Sequence, residues 1–285
     1  MPETQDKTQV DKHFLTRAKE LEKDLVKMRR HLHEYPELSF HETKTAALMK
    51  DELEKHGYKT TAGVGKTGVL GTFGKSGPVI AIRADMDGLP IDEENPNSYI
   101  SKNQTVMHAC GHDGHMACGL TTAQMLSEMW VKNPDSMHGR VKMVMQPAEE
   151  ATDKEGKSGA WRMLEDNALD DVSAIIGLHA DASLPAGKVG IIPGPAMAAC
   201  DGFEITIQGK GGHGAYPETT IDPVVIGAQI VQAIQQIVSR RVSALEPAII
   251  TIGSFQSSST RGNIISDTVN LTGTFRSFSQ TVREH

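Results

Sequence analysis

With three cysteines, Cys110, Cys118 and Cys200, the 285-residue chain has too few thiols, and an odd number of them, for a disulfide framework. Cys118 and Cys200 are read as small buried residues, the ordinary place for a free thiol. Cys110 is left for thiol chemistry or metal ligation. Also lacking is any cluster of basic residues. Lys+Arg number 29 against 36 Asp+Glu, a formal net charge of -7, so no surface is expected to track a phosphate backbone and nucleic acid is excluded as a partner. No apolar run approaches the roughly 18 to 20 residues that span a bilayer, and Met1 to Val10 is polar and mixed in charge. No membrane partner is expected, and a cytoplasmic location is. Internal repeats and low-complexity segments are absent too.

What is present is the texture of a two-domain globular chain, 38% apolar and 23% charged. Phe14 to His33 carries apolar residues at helical spacing, and a second helix is expected from about His41 to His56, with Ser39 and Glu42 as a capping box and Gly57 as its stop. Gly68 to Phe73 and Val79 to Ala84 read as strands joined in a hairpin through the Gly/Pro-rich segment 74–78. Helix 114–131, strand 141–145, short helix 158–164 and strand 172–178 then alternate. That alternation predicts an α/β layer whose mostly parallel sheet is covered on both faces.

After a Gly- and Pro-rich stretch at 186–195 the pattern changes to strand 201–208, helix 221–242 and strands 248–255 and 268–276, with Ser279 capping a further helix. This β-α-β-β-α order is a ferredoxin-like α+β unit without its last strand, so the chain is expected to be truncated at its C-terminus. The domains are set at 1–187, for metal binding and catalysis, and 188–285, for a smaller lid.

His108-Ala109-Cys110-Gly111-His112-Asp113-Gly114-His115 packs a thiol, three imidazoles and a carboxylate into eight positions. The two-residue step from Cys110 to His112 suits a loop around a metal. Mixed soft and hard donors favour Zn²⁺, with Mn²⁺, Co²⁺ or Ni²⁺ also fitting. Glu149 and Glu150 follow one strand, His179 another and Asp85 a third, and ligand sites in open α/β sheets gather at that carboxyl edge. One glutamate could ligate a cation while the other removes a proton from water. Asp85 and Asp87 could orient a ligand imidazole. His213, flanked by glycines, could polarise a carbonyl, and Asn263 and Arg276 could hold a substrate carboxylate. A thiol hydrolase built on Cys110 and a nearby histidine is the rival chemistry.

Arg83-Ala84-Asp85-Met86-Asp87, Met107 to His115, Gln146 to Glu150, Gly177-Leu178-His179 and Gly209 to Pro217 together resemble the M20 metallopeptidase family, in particular its amidohydrolase branch of hippurate and indoleacetyl-amino-acid hydrolases. The resemblance implies a zinc-exopeptidase-like catalytic domain with a ferredoxin-like lid through which a homodimer forms. By it, Cys110, His112, Glu150 and His179 are ligands of one or two divalent metal ions, Glu149 is the general base, Asp85 orients a ligand, and His213 reaches into the partner's site. The expected substrate is an N-acyl or N-aroyl amino acid. A dipeptidase of the same scaffold and a metal-binding or dimerisation protein without catalysis are the alternatives. Arg83 stands where much of the wider family has a metal-binding histidine, and the family's last histidine ligand lies in a segment beyond His285.

Overall fold

A computed structural model describes residues 7–134 and 138–285. The first six residues, part of the polar Met1–Val10 stretch, lie outside the described residues. The chain divides into two compact units, Met1–Ser183 and Leu184–His285.

The first unit runs α1 (Lys7–Glu34), α2 (Thr43–Lys55), β1 (Lys59–Val64), β2 (Gly68–Gly74), β3 (Val79–Asp85), α3 (His112–Lys132), β4 (Arg140–Gln146), α4 (Gly159–Glu165) and β5 (Val172–Gly177). Its sheet has the order β1-β2-β4-β3-β5. β4, β3 and β5 run parallel, and β1 and β2 extend the sheet as an antiparallel pair. The expected hairpin between the strands at 68–73 and 79–84 does not form, because β4 lies between them. Six of its seven positions are matched to both β2 and β3, and Val141 to Met145 is buried on both faces, so β4 takes the sheet centre. The hairpin is instead β1–β2.

Period-2 alternation along β4 sends neighbouring side chains into different layers. Val141, Met143 and Met145 join Met49, Leu53, Met116 and Leu120 under α2 and α3, whereas Val144 joins Val64, Ala81 and Met163 under α4. Complete burial of Met49 and Leu53 contributes about 1.5–3 kcal/mol each. Coverage of both faces stops at β5. Its Ile175 and Ile176 are exposed, on the edge strand of the sheet.

α2 ends as its sequence suggests, with Gly57 at φ +80° donating back to Glu54. Its start differs. Ser39 and Glu42 make no capping box: Glu42 has no side-chain cap bond, its carboxylate accepts from Thr67 and from the Ala148 amide, and Ser39 donates to Asp87. Local spacing carried the capping signature, but buried partners distant in sequence compete for the same polar atoms.

The second unit contains β6 (Ala199–Gln208), β7 (Gly212–His213), α5 (Pro223–Arg241), β8 (Ala248–Ser257), β9 (Ile264–Ile265), β10 (Thr268–Ser277) and α6 (Gln280–Glu284). β10 sits between β6 and β8 and is antiparallel to both, the split βαβ arrangement. Asp222 caps α5 by accepting from the Val224 amide at 2.8 Å, and Pro223 opens the helix. Ile207, Val269 and Leu271 form the core against Ile226 and Ile230 of α5. Cys200 is exposed rather than buried, because it falls on the outward-facing set of alternating residues in β6. No described helix in either unit is long and apolar enough to cross a membrane.

Candidate metal centre

Three parallel strands and one helix start deliver the site. Asp85 ends β3, Glu149 and Glu150 lie three and four residues past β4, His179 lies two past β5, and His112 opens α3 directly after Cys110-Gly111. Gly111 takes a left-handed conformation at φ +88°, which turns the Cys110 loop into the helix. Cys110, His112 and His179 offer ligand atoms within 4.8 Å of one another, as do His112, Glu149 and Glu150, and as do Asp85, His112 and His115. His112 belongs to all three groups.

Hydrogen bonding sets the tautomers of the two candidate ligand imidazoles. His112 donates through Nδ1 to the Asp87 carbonyl at 2.8 Å, and His179 donates through Nδ1 to the Ala180 carbonyl at 2.6 Å. Each ring therefore carries a bare Nε2. That of His179 lies 3.4 Å from Cys110 Sγ, and that of His112 lies 3.7 Å from Glu150 Oε1. His112 Nε2, Glu150 Oε1 and Asp85 Oδ2 are buried and have no hydrogen-bond partner. Arg83 Nη1 approaches Asp85 Oδ2 to 2.6 Å as an ion pair but lacks hydrogen-bond alignment. Buried polar atoms left unpaired are costly, and a shared cation satisfies several at once. The donor set of thiol, two bare imidazole nitrogens and carboxylate fits a divalent metal.

The electrostatics agree. Burial first, then the Glu150 and Glu149 carboxylates, push the Cys110 thiol up to about 12, so by itself it is a poor nucleophile. This argues against the thiol-hydrolase chemistry. Glu149 is exposed by surface area, yet it is crowded on one side. That desolvation, followed by the adjacent Glu150 charge, raises its affinity for a proton. Burial lowers the proton affinity of His112, but Asp87, Asp85 and Glu150 outweigh it and the net direction is upward.

Asp87 holds His112 through its main-chain carbonyl, and its Oδ2 accepts from the Glu150 amide at 3.0 Å. Asp85 hydrogen-bonds His115 rather than His112, which is 3.6 Å from its other oxygen. In the second unit His213 pairs with Ile264 on β9, and the Gly214 amide donates to the Asn263 carbonyl, so His213 and Asn263 are neighbours. Arg276 lies at the far end of β10, paired with Cys200 and Ile249, and the structure does not bring it to them.

Residues 81–266 match peptidase family M20/M25/M40. The chain belongs to this family. It is similar to an N-acetyl-L-cysteine deacetylase of Bacillus subtilis, 45% identical over 92% of this chain and 61% of the relative. It is also similar to an N-acyl-L-amino acid amidohydrolase of Geobacillus stearothermophilus, 44% identical over 93% of this chain and 70% of that protein. A solved Bacillus subtilis structure described as a dinuclear metal binding peptidase from the M20 family superimposes with a TM-score of 0.74 at 37% identity, over 93% of this chain and 67% of the other. The chain thus spans about two thirds of the length of these relatives.

Three residues around the candidate centre were given no part in it from sequence. His33 is buried and bonds Asp113 at 2.8 Å and Glu93 at 3.1 Å, while Arg29 meets the same Asp113 oxygen at 2.8 Å. These contacts tie α1 to the start of α3. His115 spans Asp85 and the Ala180 amide. Glu42 reaches the Ala148 amide. The three-residue step from His112 to His115 signalled a shared helix face, but the other two contacts cross 80 and 106 positions and left no local signature.

Proposed function

We propose that the chain belongs to a metal-dependent amidohydrolase that cleaves the amide bond of N-acyl or N-aroyl amino acids, with Glu149 as general base. Cys110, His112, Glu150 and His179 would hold one or two divalent ions, zinc or manganese, with cobalt or nickel fitting the same donors. The observation that carries this reading is the convergence of the unpartnered His112 Nε2 and Glu150 Oε1 with Cys110 and His179, one residue from Glu149.

A divalent cation supplies Lewis acidity, lowering the pKa of water from about 15.7 to near 7 and polarising a carbonyl. The protein's own groups do the rest. Glu149 takes the proton of the attacking water and passes it to the leaving nitrogen, a task suited to a carboxylate with raised proton affinity. Asp85 acts from behind by holding His115. From the lid, His213 stabilises the carbonyl oxygen as it gains charge, and the neighbouring Asn263 binds the substrate carboxylate. The lid also forms a homodimer in which His213 serves the partner's site. The names of the two curated relatives support the substrate class.

The test is turnover of N-acetyl and N-benzoyl amino acids against free dipeptides, with added Zn²⁺ or Mn²⁺. The N-acyl compounds are expected to be hydrolysed and Glu149→Gln to lose at least a hundredfold in kcat. Preference for dipeptides would replace the substrate class, and undiminished turnover by Glu149→Gln would remove the general base.

A further inference from the structure

The Glu149–Glu150 turn is held from beneath by two carboxylates that local sequence assigned to other tasks. Ala148, immediately before it, is completely buried and sits at φ +43°, a left-handed conformation that costs a non-glycine residue energy and persists only when its surroundings impose it. Its amide donates to Glu42 Oε1 at 2.7 Å, and the other Glu42 oxygen accepts from Thr67 Oγ1 at 2.5 Å. Glu42 is itself 0% exposed and has no basic partner within the ion-pair contacts of the described residues. On the far side of the turn Asp87 Oδ2 accepts from the Glu150 amide at 3.0 Å and from Ser39 Oγ at 2.6 Å. From the same turn the Ala148 carbonyl accepts from the Gly159 amide at 2.9 Å.

A buried carboxylate without a cation is an expensive way to stabilise a fold, and its two oxygens are both spent on partners far away in sequence. We infer that Glu42 is a positioning residue for the proposed reaction: by accepting the Ala148 amide it imposes the left-handed turn that aims Glu149 and Glu150 into the metal centre. Asp87 does the same from the Glu150 side. Ser39, Glu42 and Asp87 thus form one cradle, and the segment that resembles a capping box is the base of the site. This inference rests on the functional reading above.

Glutamine at position 42 can reproduce both bonds, its carbonyl accepting from Ala148 and its amide donating to Thr67 Oγ1. Leucine reproduces neither. Three variants, Glu42→Gln, Glu42→Leu and Glu149→Gln, are therefore compared for kcat, KM, Mn²⁺ affinity by calorimetry and hydrogen exchange of the 147–150 amides. Glu42→Leu is expected to lose at least tenfold in kcat with KM within about twofold, to bind Mn²⁺ at least tenfold more weakly and to lose amide protection at 148. Glu42→Gln should restore all three to within about threefold of the native protein. If Glu42→Leu keeps native kcat and Mn²⁺ affinity, or if Glu42→Gln fails as badly as a folded or unfolded Glu42→Leu, the inference is overturned. Failure of the functional reading shows separately, as Glu149→Gln retaining turnover, while the Mn²⁺ and exchange measurements still judge the cradle.

Discussion

The Ala180 amide donates to Nε2 of His115 at 2.8 Å. Because that nitrogen accepts, the proton of the neutral ring is on Nδ1, which donates to Asp85 at 2.6 Å. His115 is therefore a strut between the end of β3 and the residue that follows His179. Replacing it with phenylalanine keeps the volume but strands the Asp85 carboxylate and the Ala180 amide. We expect His115→Phe to bind divalent metal about 10–100-fold more weakly, measured by competition with a chelator. Native affinity in the variant would remove the strut.

Gly159 opens α4 against the turn that carries the paired glutamates. A Cβ there would lie 1.8 Å from the Pro147 carbonyl oxygen, a contact with backbone that no rotamer relieves. Gly159→Ala should lower stability in urea by about 1–3 kcal/mol and reduce activity, because Pro147 is two residues from Glu149. A Cβ at Gly156 meets nothing within 4 Å, although its φ of +75° also strains alanine, so Gly156→Ala is the matched control for steric contact and should cost less.

Glu128 on α3 accepts from Arg17 on α1 at 2.7 and 2.9 Å, and that guanidinium holds its pKa at about 2. A carboxylate whose pKa is depressed on folding contributes stability above its unfolded value near 4.3, and that contribution is lost as pH falls from there through about 2. The pair is partly solvated, so the contribution is at most about 1 kcal/mol. Thermal melting of Glu128→Gln should fall below the native curve at pH 6 and meet it near pH 2. Curves offset equally at both pH values would refute this.

In metal-free protein at pH 8, iodoacetamide should modify the exposed Cys200 well before Cys110, whose thiol is held protonated with a pKa of about 12. Mass spectrometry of the tryptic peptides measures the order. Rapid labelling of Cys110 would revive it as a candidate nucleophile.

How far the site could be read in advance differs from residue to residue. Cys110 and His112 are two apart, Glu149 and Glu150 are adjacent, and the two glutamates and His179 follow apolar runs whose ends mark one rim of a sheet. Adjacent placement and strand ends are properties of the chain, so these residues could be named without coordinates. Ser39 and Glu42 show the opposite case. Their spacing satisfies a helix cap, and nothing within ten residues discloses that Thr67, Asp87 and Ala148 will claim their oxygens instead.

The same division holds for the fold. Periodicity of 3.6 and 2 residues, and the order in which they alternate, determined that an α/β unit is followed by a split βαβ unit, because side-chain spacing decides which face of each element turns to the core. Strand neighbours were not determined that way. β2 and β3 are consecutive in the chain, yet β4 lies between them, since the strand with the most apolar surface on both faces is the one that gains most from the middle of the sheet. Tertiary packing likewise chose the bare nitrogens of His112 and His179, the left-handed turn at Ala148 and the burial of Glu42. Each of these depends on a partner that arrives only when the layers close.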